Sequence, residues 1–296
     1  MNWELLTEEK FRESLDRCGG LCVLPIGCLE GHGQHGPLGT DSIIAKTTVE
    51  MAAEMEEVMV FPTGMWLGDL CCAHAWDDPV GFKHCGYIGL NPHTLLTVLE
   101  ELCDEIARNG FRKVLIANAH GGNAAMLKYF LRSQGYHKKN YATMLVDCYD
   151  KATDEDIYPY FLEHRDEYPM LTEEDMETLK RFHDMGGYGG AHAHLSETAQ
   201  VMDPYPESVN VKRSEEVNGD SLHHTDYLGL MGVSVTNAWT RDFPNSYSAY
   251  PSTGCTQTIG AAMNLYCARR LAGIFKALKN DEKCVEIAMY PDSVKE

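Results

Sequence analysis

The sequence predicts an α/β fold in which a mostly parallel sheet lies between two layers of helices, a three-layer αβα sandwich. In the first half of the chain, short apolar runs alternate with amphipathic stretches, and turn-forming residues separate them. Because strands that alternate with helices at this spacing form βαβ units, the strands are expected to run parallel. A hydrophobic share of 44% over 296 residues is enough to fill a core. We therefore expect one domain over residues 1–296.

Four buried strands and four long helices are predicted along the chain. One helix follows Asn91-Pro92, a pair that combines an N-cap residue with a proline suited to the first turn. Residues 150–190 are polar and are interpreted as an excursion or rim, whereas the turn-rich residues 203–255 receive no assignment. Residues 66–85 are interpreted as a surface loop, with a substrate lid as the alternative. The predicted strands are 21–26, 58–61, 113–118 and 141–147, and the predicted helices are 42–55, 92–109, 124–133 and 259–278.

The chain is strongly acidic, with 44 Asp and Glu residues against 25 Lys and Arg residues and a net charge of −19. Such a surface repels phosphate backbones and anionic membranes, so neither nucleic acid nor membrane is expected as a partner. The eleven cysteines are scattered without a Cys-x-x-Cys pair, which is typical of a reduced protein. The N-terminus lacks the features of a signal peptide, and no apolar run reaches the roughly 18 residues of a membrane span. We expect a cytoplasmic protein.

A glycine-rich stretch after the first predicted strand carries four candidate metal ligands. Glu30 and His32 are two residues apart, so in extended backbone their side chains project to the same side. Imidazole and carboxylate donors suit zinc, manganese or iron. The alternative is an irregular loop with solvated charges, in which Asp41 only caps the next helix. For the cluster of Glu30, His32, His35 and Asp41 as a whole, metal binding is the favoured interpretation.

Two further groups of polar residues extend this pattern. His120 follows the predicted strand 113–118 and has two glycines after it. In open α/β sheets ligands bind outside the carboxyl ends of the strands, which is also where the first cluster is expected. A third group, His192, His194 and Glu197, follows a run of glycines. The alternative for His120 is a packed or hydrogen-bonded histidine, and the alternative for Glu197 is a carboxylate on a helix surface. An acidic residue this close to two histidines would nevertheless complete a metal shell.

The order and residue patterns of these three clusters resemble those of the creatininase family, also called creatinine amidohydrolases. Family members carry Leu-Pro-x-Gly-x-x-Glu-x-His-Gly-x-His-x-Pro-x-x-x-Asp, then Asn-Gly-His-Gly-Gly-Asn, and finally His-Ala-Gly-x-x-Glu-Thr-Ser. The resemblance extends over about residues 20–210, and its first motif is highly specific. The matching stretches are Leu24 to Asp41, Asn118 to Asn123 with Ala119 for a glycine, and His192 to Ala199 with His194 for a glycine and Ala199 for the serine.

The resemblance implies a site for two divalent metal ions, with Zn²⁺ expected first and Mn²⁺ or Fe²⁺ as alternatives. Creatininase itself takes one ligand from a glutamate whose position is occupied by Gly122 in this chain. We therefore assign Glu197 as the replacement ligand. The implied metal ligands are Glu30 and His120 on one ion, His32 on the other, Asp41 as the bridge between both, and Glu197 completing the shell.

The family also implies a metal-bridging hydroxide as the nucleophile and His192 as the catalytic group that protonates the leaving nitrogen. Creatininase clamps its flat substrate ring between two tryptophans, and the matching positions in this chain are Tyr149 and Tyr188. Tyrosine still stacks on a ring but adds a hydroxyl, which favours a more polar ligand. Two tyrosines on the rim of the protein are the alternative. The resemblance therefore leaves creatinine itself open as the substrate.

Three functional hypotheses follow from these residues. The leading one is hydrolysis of a C–N bond in a small amide, cyclic amide or formamide. The second is opening of a carbohydrate-derived lactone or a cyclic ketone of the dehydro-inositol type. The third is a metal-binding protein without catalytic activity. The resemblance also implies a homo-oligomer, often a hexamer in this family.

Overall fold

A four-stranded parallel sheet forms the centre of the computed structural model, which describes residues 1–70, 85–149, 157–187 and 192–289. The strand order is β2-β1-β3-β4, and each neighbouring pair is parallel. This confirms the predicted α/β fold with its parallel sheet. The strands are β1 (Leu21–Ile26), β2 (Met59–Val60), β3 (Lys113–Asn118) and β4 (Ala142–Asp147).

The four predicted long helices are present, with ends within two residues of their predicted positions. Asn91 caps the second of them, because its side-chain oxygen accepts a hydrogen bond from the backbone N–H of His93 at 2.9 Å. The described residues form seven further α-helices that were not predicted. The helices are α1 (Glu8–Arg17), α2 (Thr40–Met55), α3 (Pro92–Arg108), α4 (Asn123–Ser133), α5 (Ile157–Glu163), α6 (Glu173–Asp184), α7 (Leu195–Met202), α8 (Asp226–Leu230), α9 (Ala238–Asp242), α10 (Gln257–Lys279) and α11 (Lys283–Ala288).

Helices cover both faces of the sheet, and successive side chains of a strand point to opposite faces. In β1, Leu21 and Val23 pack into the cluster formed with α2 and α10, whereas Cys22 and Leu24 pack into the cluster formed with α3 and α4. β3 alternates in the same way. This arrangement gives the predicted helix–sheet–helix layering and explains why β1 reads as a continuous apolar run.

The segment interpreted as a polar rim contributes to a third core cluster. Within it, Phe161 of α5 and Phe182 of α6 are buried against Ile259 and Met263 of α10. Most charged residues of α6 lie on its solvent side, whereas Asp175 is buried and closes a capping box with Thr172 at the first turn. The rim interpretation is therefore wrong for the two helices. That residues 1–296 form a single domain stays a prediction.

The carboxyl ends of three strands lie side by side at one edge of the sheet. Ile26, the last residue of β1, pairs with Asn118 of β3, and Asn118 pairs with Asp147 of β4. The loops that leave these strands therefore begin next to one another, where ligands bind in parallel sheets. Among the helices described, none combines the length and apolar character required to cross a membrane.

Candidate metal centre

Six buried polar side chains from distant parts of the chain gather at this sheet edge. They come from the loop after β1, the first turn of α2, the loop after β3 and the segment that starts α7. All six are at most 9% exposed, so each has lost most of its contact with water. The other members of the group, or a bound cation, must compensate this loss. The residues are Glu30, His32, Asp41, His120, His192 and Glu197.

Asp41 lies at the centre of the group and uses both carboxylate oxygens. Its Oδ2 is 2.9 Å from Nδ1 of His120, and its Oδ1 is 3.1 Å from Nε2 of His32. The residue that caps α2 is Gly39, so the alternative interpretation of Asp41 as an N-cap is wrong. Asp41 lies in the first turn of α2, and its side chain points inward to two buried histidines. A residue that only capped the helix would not need these contacts.

The donor atoms divide into two groups that share Asp41. On one side, Nδ1 of His120 is 3.1 Å from Oε1 of Glu30, and on the other, Nε2 of His32 is 3.7 Å from Oε2 of Glu197. Each group lies within 4.8 Å of the Asp41 carboxylate, so two cations bridged by Asp41 would each have nitrogen and oxygen donors within reach. Such a donor set suits Zn²⁺, Mn²⁺ or Fe²⁺.

Each of the three histidines is fixed through the ring nitrogen that faces away from the carboxylates. A backbone carbonyl only accepts hydrogen bonds, so that nitrogen carries the proton and the opposite nitrogen presents its lone pair to the cluster, where His32 and His120 could bind a cation and His192 could take up a proton. The ring orientation is therefore set by the protein backbone before any cation binds. The three bonds run from His120 Nε2 to the Asp69 carbonyl at 3.0 Å, from His32 Nδ1 to the Glu30 carbonyl at 3.3 Å, and from His192 Nε2 to the Gly31 carbonyl at 2.8 Å.

The metal-free site balances its charges internally. Burial alone would lower the pKa of His32, but the surrounding carboxylates, Asp41 first, outweigh it and raise the pKa to about 9. The pKa of His120 is likewise raised by Glu30, Cys28 and Asp41 against the effect of burial. Burial would raise the pKa of Asp41, yet the two histidines hold it well below its ordinary value. Cations entering this site would therefore replace protons held by the imidazoles.

Two side chains next to Asp41 had no predicted role in the shell. The Cys28 thiol donates to Asp41 Oδ2 at 3.0 Å, and the Tyr149 hydroxyl lies 3.4 Å from both Asp41 Oδ1 and Glu197 Oε1. The substrate-binding role of Tyr149 stays a prediction. The structure shows in addition that its hydroxyl is within hydrogen-bond distance of both carboxylates. Tyr188 lies outside the described residues, as does most of the loop at 66–85.

Two other histidines of the motifs serve the local fold. His35 Nε2 donates to the Ala193 carbonyl at 2.9 Å, and burial lowers its pKa to about 4, so it remains neutral. His194 caps α7, because its Nδ1 accepts from the Glu197 backbone N–H at 3.3 Å. The candidate role of His35 as a metal ligand is therefore wrong, because its ring nitrogens are not among the donor atoms that gather around Asp41.

A cavity of about 400 Å³ opens beside the cluster, a size that accepts a small molecule. Its walls include the carboxylates, His120 and His192, together with apolar groups that the motifs do not contain. One of these is Trp239 of α9, which lies in the turn-rich region that received no assignment. The lining residues are Glu30, Asp41, Asp69, Leu70, His120, Gly121, Gly122, His192, Glu197 and Trp239.

Comparison with known proteins identifies relatives of this chain. The family model for creatininase, described as creatinine amidohydrolase, matches residues 4–275. A 3-dehydro-scyllo-inosose hydrolase of Thermotoga maritima is 27% identical over 122 residues, which is 40% of this chain and 35% of that protein. A creatinine amidohydrolase of Pseudomonas putida is 29% identical over 111 residues, which is 36% of this chain and 41% of that protein. The matches thus span well under half of either relative.

Solved structures share the fold over almost the whole chain. A crystal structure of creatinine amidohydrolase superposes with a TM-score of 0.64 at 18% identity, covering 95% of this chain and 98% of the other. Two further creatininase structures are described as a manganese form and as a zinc–zinc form. At this level of identity the likeness establishes the fold alone.

Proposed function

Because the chain belongs to the creatininase family of hydrolases, we propose that it hydrolyses a C–N bond in a small amide, cyclic amide or formamide. The observation that carries this proposal is the position of Asp41 between two groups of nitrogen and oxygen donors, beside an open cavity. The curated relatives are matched over less than half their lengths, so their activities enter here as proposals.

Two divalent cations are the proposed cofactors. One would be held by Glu30 and His120, the other by His32 and Glu197, with Asp41 shared between them. When bound, such ions supply a deprotonated water near neutral pH and polarise a substrate carbonyl. Zinc is our first choice and manganese or iron the alternatives, since the donors accept all three and solved creatininases are described in zinc and manganese forms.

His192 is the proposed proton donor to the leaving nitrogen. It lines the cavity, and its Nδ1 lies 3.6 Å from Glu30 Oε1. Its Nε2 is committed to the Gly31 carbonyl, so only Nδ1 faces the reacting groups. With its Nε2 proton held by the Gly31 carbonyl, the ring would take a proton at Nδ1 from the attacking water and then pass that proton to the leaving nitrogen, acting first as general base and then as general acid.

The charges of the cavity favour an uncharged substrate. Its described lining contains four carboxylates, those of Glu30, Asp41, Asp69 and Glu197, and no Lys or Arg. Two divalent cations would balance the four negative charges. No further positive charge would then be present in this lining to bind a phosphate or carboxylate group. We therefore propose a neutral small molecule as the substrate.

A second candidate function is opening of a carbohydrate-derived lactone or a cyclic ketone of the dehydro-inositol type. It is favoured by the aligned 3-dehydro-scyllo-inosose hydrolase, whose named substrate is such a ring. A metal-binding protein without catalytic activity is a less satisfactory explanation. The cluster opens onto a cavity with room for a ligand, which a purely structural site does not need.

A substrate screen distinguishes these functions. The zinc-loaded and manganese-loaded protein would be tested against creatinine, an N-formyl amide, glucono-δ-lactone and an inosose, each with a metal-free control. We expect metal-dependent turnover of a compound in the C–N class, and His192→Ala should keep both metals while losing most turnover. Turnover confined to the lactone or inosose would select the second function. Absence of turnover with every compound, despite two bound metals, would support the non-catalytic alternative.

We also propose that the protein is a homo-oligomer, with a hexamer expected from the family resemblance. Several large apolar side chains between residues 227 and 235 are exposed, among them Leu230 at 90% and Tyr227 at 63%. On a chain of net charge −19, such a segment is an unusual surface for a monomer. Light scattering during size exclusion should give a molecular mass that is two or more times 33.1 kDa, and Leu230→Asp should lower this mass. A wild-type monomer would refute this proposal.

The cytoplasm is the proposed location. The described cysteines are free thiols, and most of them are buried in the core. Chains that fold in oxidising compartments more often use cysteines in disulfides. Fractionation of cells that express the tagged protein would test the location.

A further inference from the structure

Trp239 is an aromatic side chain in the wall of the cavity that neither the motifs nor the proposed mechanism uses. It lies on α9, more than 40 residues after His192, and it is half-buried. Its ring is perpendicular to the His192 imidazole, with 5.1 Å between the ring centroids. A large apolar ring thus stands directly beside the proposed proton donor.

The segment that carries Trp239 is held to the loops of the site at several points. Beyond α9, the Ser246 hydroxyl donates to the Gly31 carbonyl at 2.8 Å, and the Ser246 carbonyl accepts from the Gly33 backbone N–H at 2.8 Å. Ser248 exchanges backbone hydrogen bonds with His192 itself. The Gly31 carbonyl therefore receives both Ser246 and His192, which joins the Trp239 segment to the element that orients the imidazole.

The last residue of α9 is also fixed. Asp242 is buried and accepts hydrogen bonds from the backbone N–H groups of His224 and Thr225, at 2.6 and 3.2 Å, and from the Thr225 hydroxyl. Phe243 packs against the Trp239 ring with 5.6 Å between centroids. An indole supported in this way loses little conformational entropy when a ligand binds against it, which strengthens that contact.

The cavity that Trp239 lines has a volume of about 400 Å³, which is enough for a ring. Gly121 also lines it, and a Cβ atom added there would meet no atom of the described residues within 4 Å. Leu70 adds a further apolar group, while the donor cluster forms the polar part of the lining. A ligand with one polar reacting group and one flat or C–H face would match both parts of the cavity.

We propose that Trp239 is a specificity-determining residue, whose indole holds the apolar face of a ring-shaped ligand while the reacting group lies at the donor cluster. This inference rests on the proposed function for the position of the cations. It assigns substrate selection to a residue outside the three motifs. Truncation of Trp239 should therefore weaken ligand binding and leave the metal content unchanged, because the indole is not one of the proposed metal ligands.

The test compares two hydroxamates that chelate zinc equally but differ in their side group. Acetohydroxamate carries a methyl group and benzohydroxamate a ring that reaches the indole wall. Titration calorimetry on the zinc-loaded protein should give roughly tenfold tighter binding of benzohydroxamate, the size of a favourable aromatic contact. The preference should fall to about twofold or less in Trp239→Ala and persist in Trp239→Phe. Tyr136→Ala, which removes an exposed aromatic ring outside the described lining, should keep it.

The outcomes separate this inference from the proposed function. The expected pattern supports the Trp239 assignment even when no compound of the substrate screen is turned over. A preference for benzohydroxamate that survives in Trp239→Ala would overturn the assignment. This conclusion would stand even if the substrate screen showed that the protein is an active amidohydrolase. Equal affinity of the wild type for the two hydroxamates would also overturn it. Zinc content, measured for every variant, should remain at the wild-type value.

Discussion

Replacement of Asp41 by asparagine tests the centre of the proposed site. The two side chains have nearly the same shape, so the substitution removes the negative charge while leaving the volume unchanged. In the wild type this charge faces the imidazoles of His120 and His32, at 2.9 and 3.1 Å, and all three groups are buried. The asparagine side chain would offer one oxygen and no charge, which is a poor bridge between two cations.

The size of the effect on the metal-free protein follows from the pKa of His32. A folded pKa of about 9, against 6.5 for the free group, makes protonation of His32 at pH 7 worth about 3 kcal/mol of stability. Without Asp41 the imidazole would lose most of that gain and would be buried as the neutral form. We therefore expect Asp41→Asn to lower the free energy of unfolding by about 3 kcal/mol, in line with the loss of one partner from a buried ion pair.

Zinc binding and thermal unfolding would be measured on the same samples. The wild type should bind two zinc ions and unfold at a higher temperature when zinc is added, since a ligand of the native state stabilises it by about 2.7 kcal/mol at a concentration of 100 times its Kd. Asp41→Asn should bind at most one ion weakly, show little increase with zinc, and have no hydrolase activity.

Asp175→Asn is the matched control. Asp175 is also buried, but it accepts hydrogen bonds from Thr172 in the capping box of α6 and from Thr258 of α10, and none of these residues is a proposed metal ligand. Its substitution should lower stability and leave the increase with zinc intact. Two tightly bound zinc ions in Asp41→Asn would refute the bridging role, whatever the stability of that variant.

Three further predictions concern the surroundings of Asp41. Glu197→Gln should reduce the zinc content from two ions to one, by removing a donor from the His32 side, as metal analysis would show; an unchanged content would exclude Glu197 as a ligand. Gly122→Ala should weaken zinc binding at least tenfold, because the added Cβ would lie 2.4 Å from His120 Nε2 and would displace that ring. Equal zinc affinity of variant and wild type in a competition assay would contradict this reasoning. Finally, the raised pKa of His32 stabilises the metal-free protein fully below pH 6.5, and this contribution is lost as the pH rises through about 9. Melting temperatures of the metal-free protein should fall across that window while zinc affinity rises, and a flat profile of both would contradict it.

The fold was predictable because its core elements carry local patterns. The strand over residues 21–26 and the helix after Asn91 each show their signal within a few consecutive residues. Helix α6 was missed because its exposed residues are all charged, and α5 was missed because it is short and contains Pro159. Their buried positions, such as Phe161 and Phe182, acquire meaning only from packing against α10, about 80–100 residues away.

The donor cluster was predictable for a different reason. Glu30 and His32 follow β1 directly, and His120 follows β3, so the parallel register of the two strands brings them together. The hydrogen bond from Tyr149 to Asp41 spans 108 residues and depends on the rotamer of one ring, which no spacing encodes. The position of Trp239 depends on α9 and its attachments to the loops, in a region without a recognisable pattern.

This division has a consequence for the choice of substrate. The imidazoles proposed to hold the cations are oriented by backbone carbonyls, His32 by that of Glu30 and His120 by that of Asp69, so main-chain atoms and not the apolar side chains of the cavity set their geometry. The side chains of Trp239 and Leu70 lie outside the motifs and form the apolar part of the lining. Changes of these side chains would alter the accepted ring without removing a proposed metal ligand. The motifs therefore predict metal-dependent hydrolysis, whereas the bond that is cleaved depends on residues that the motifs do not contain.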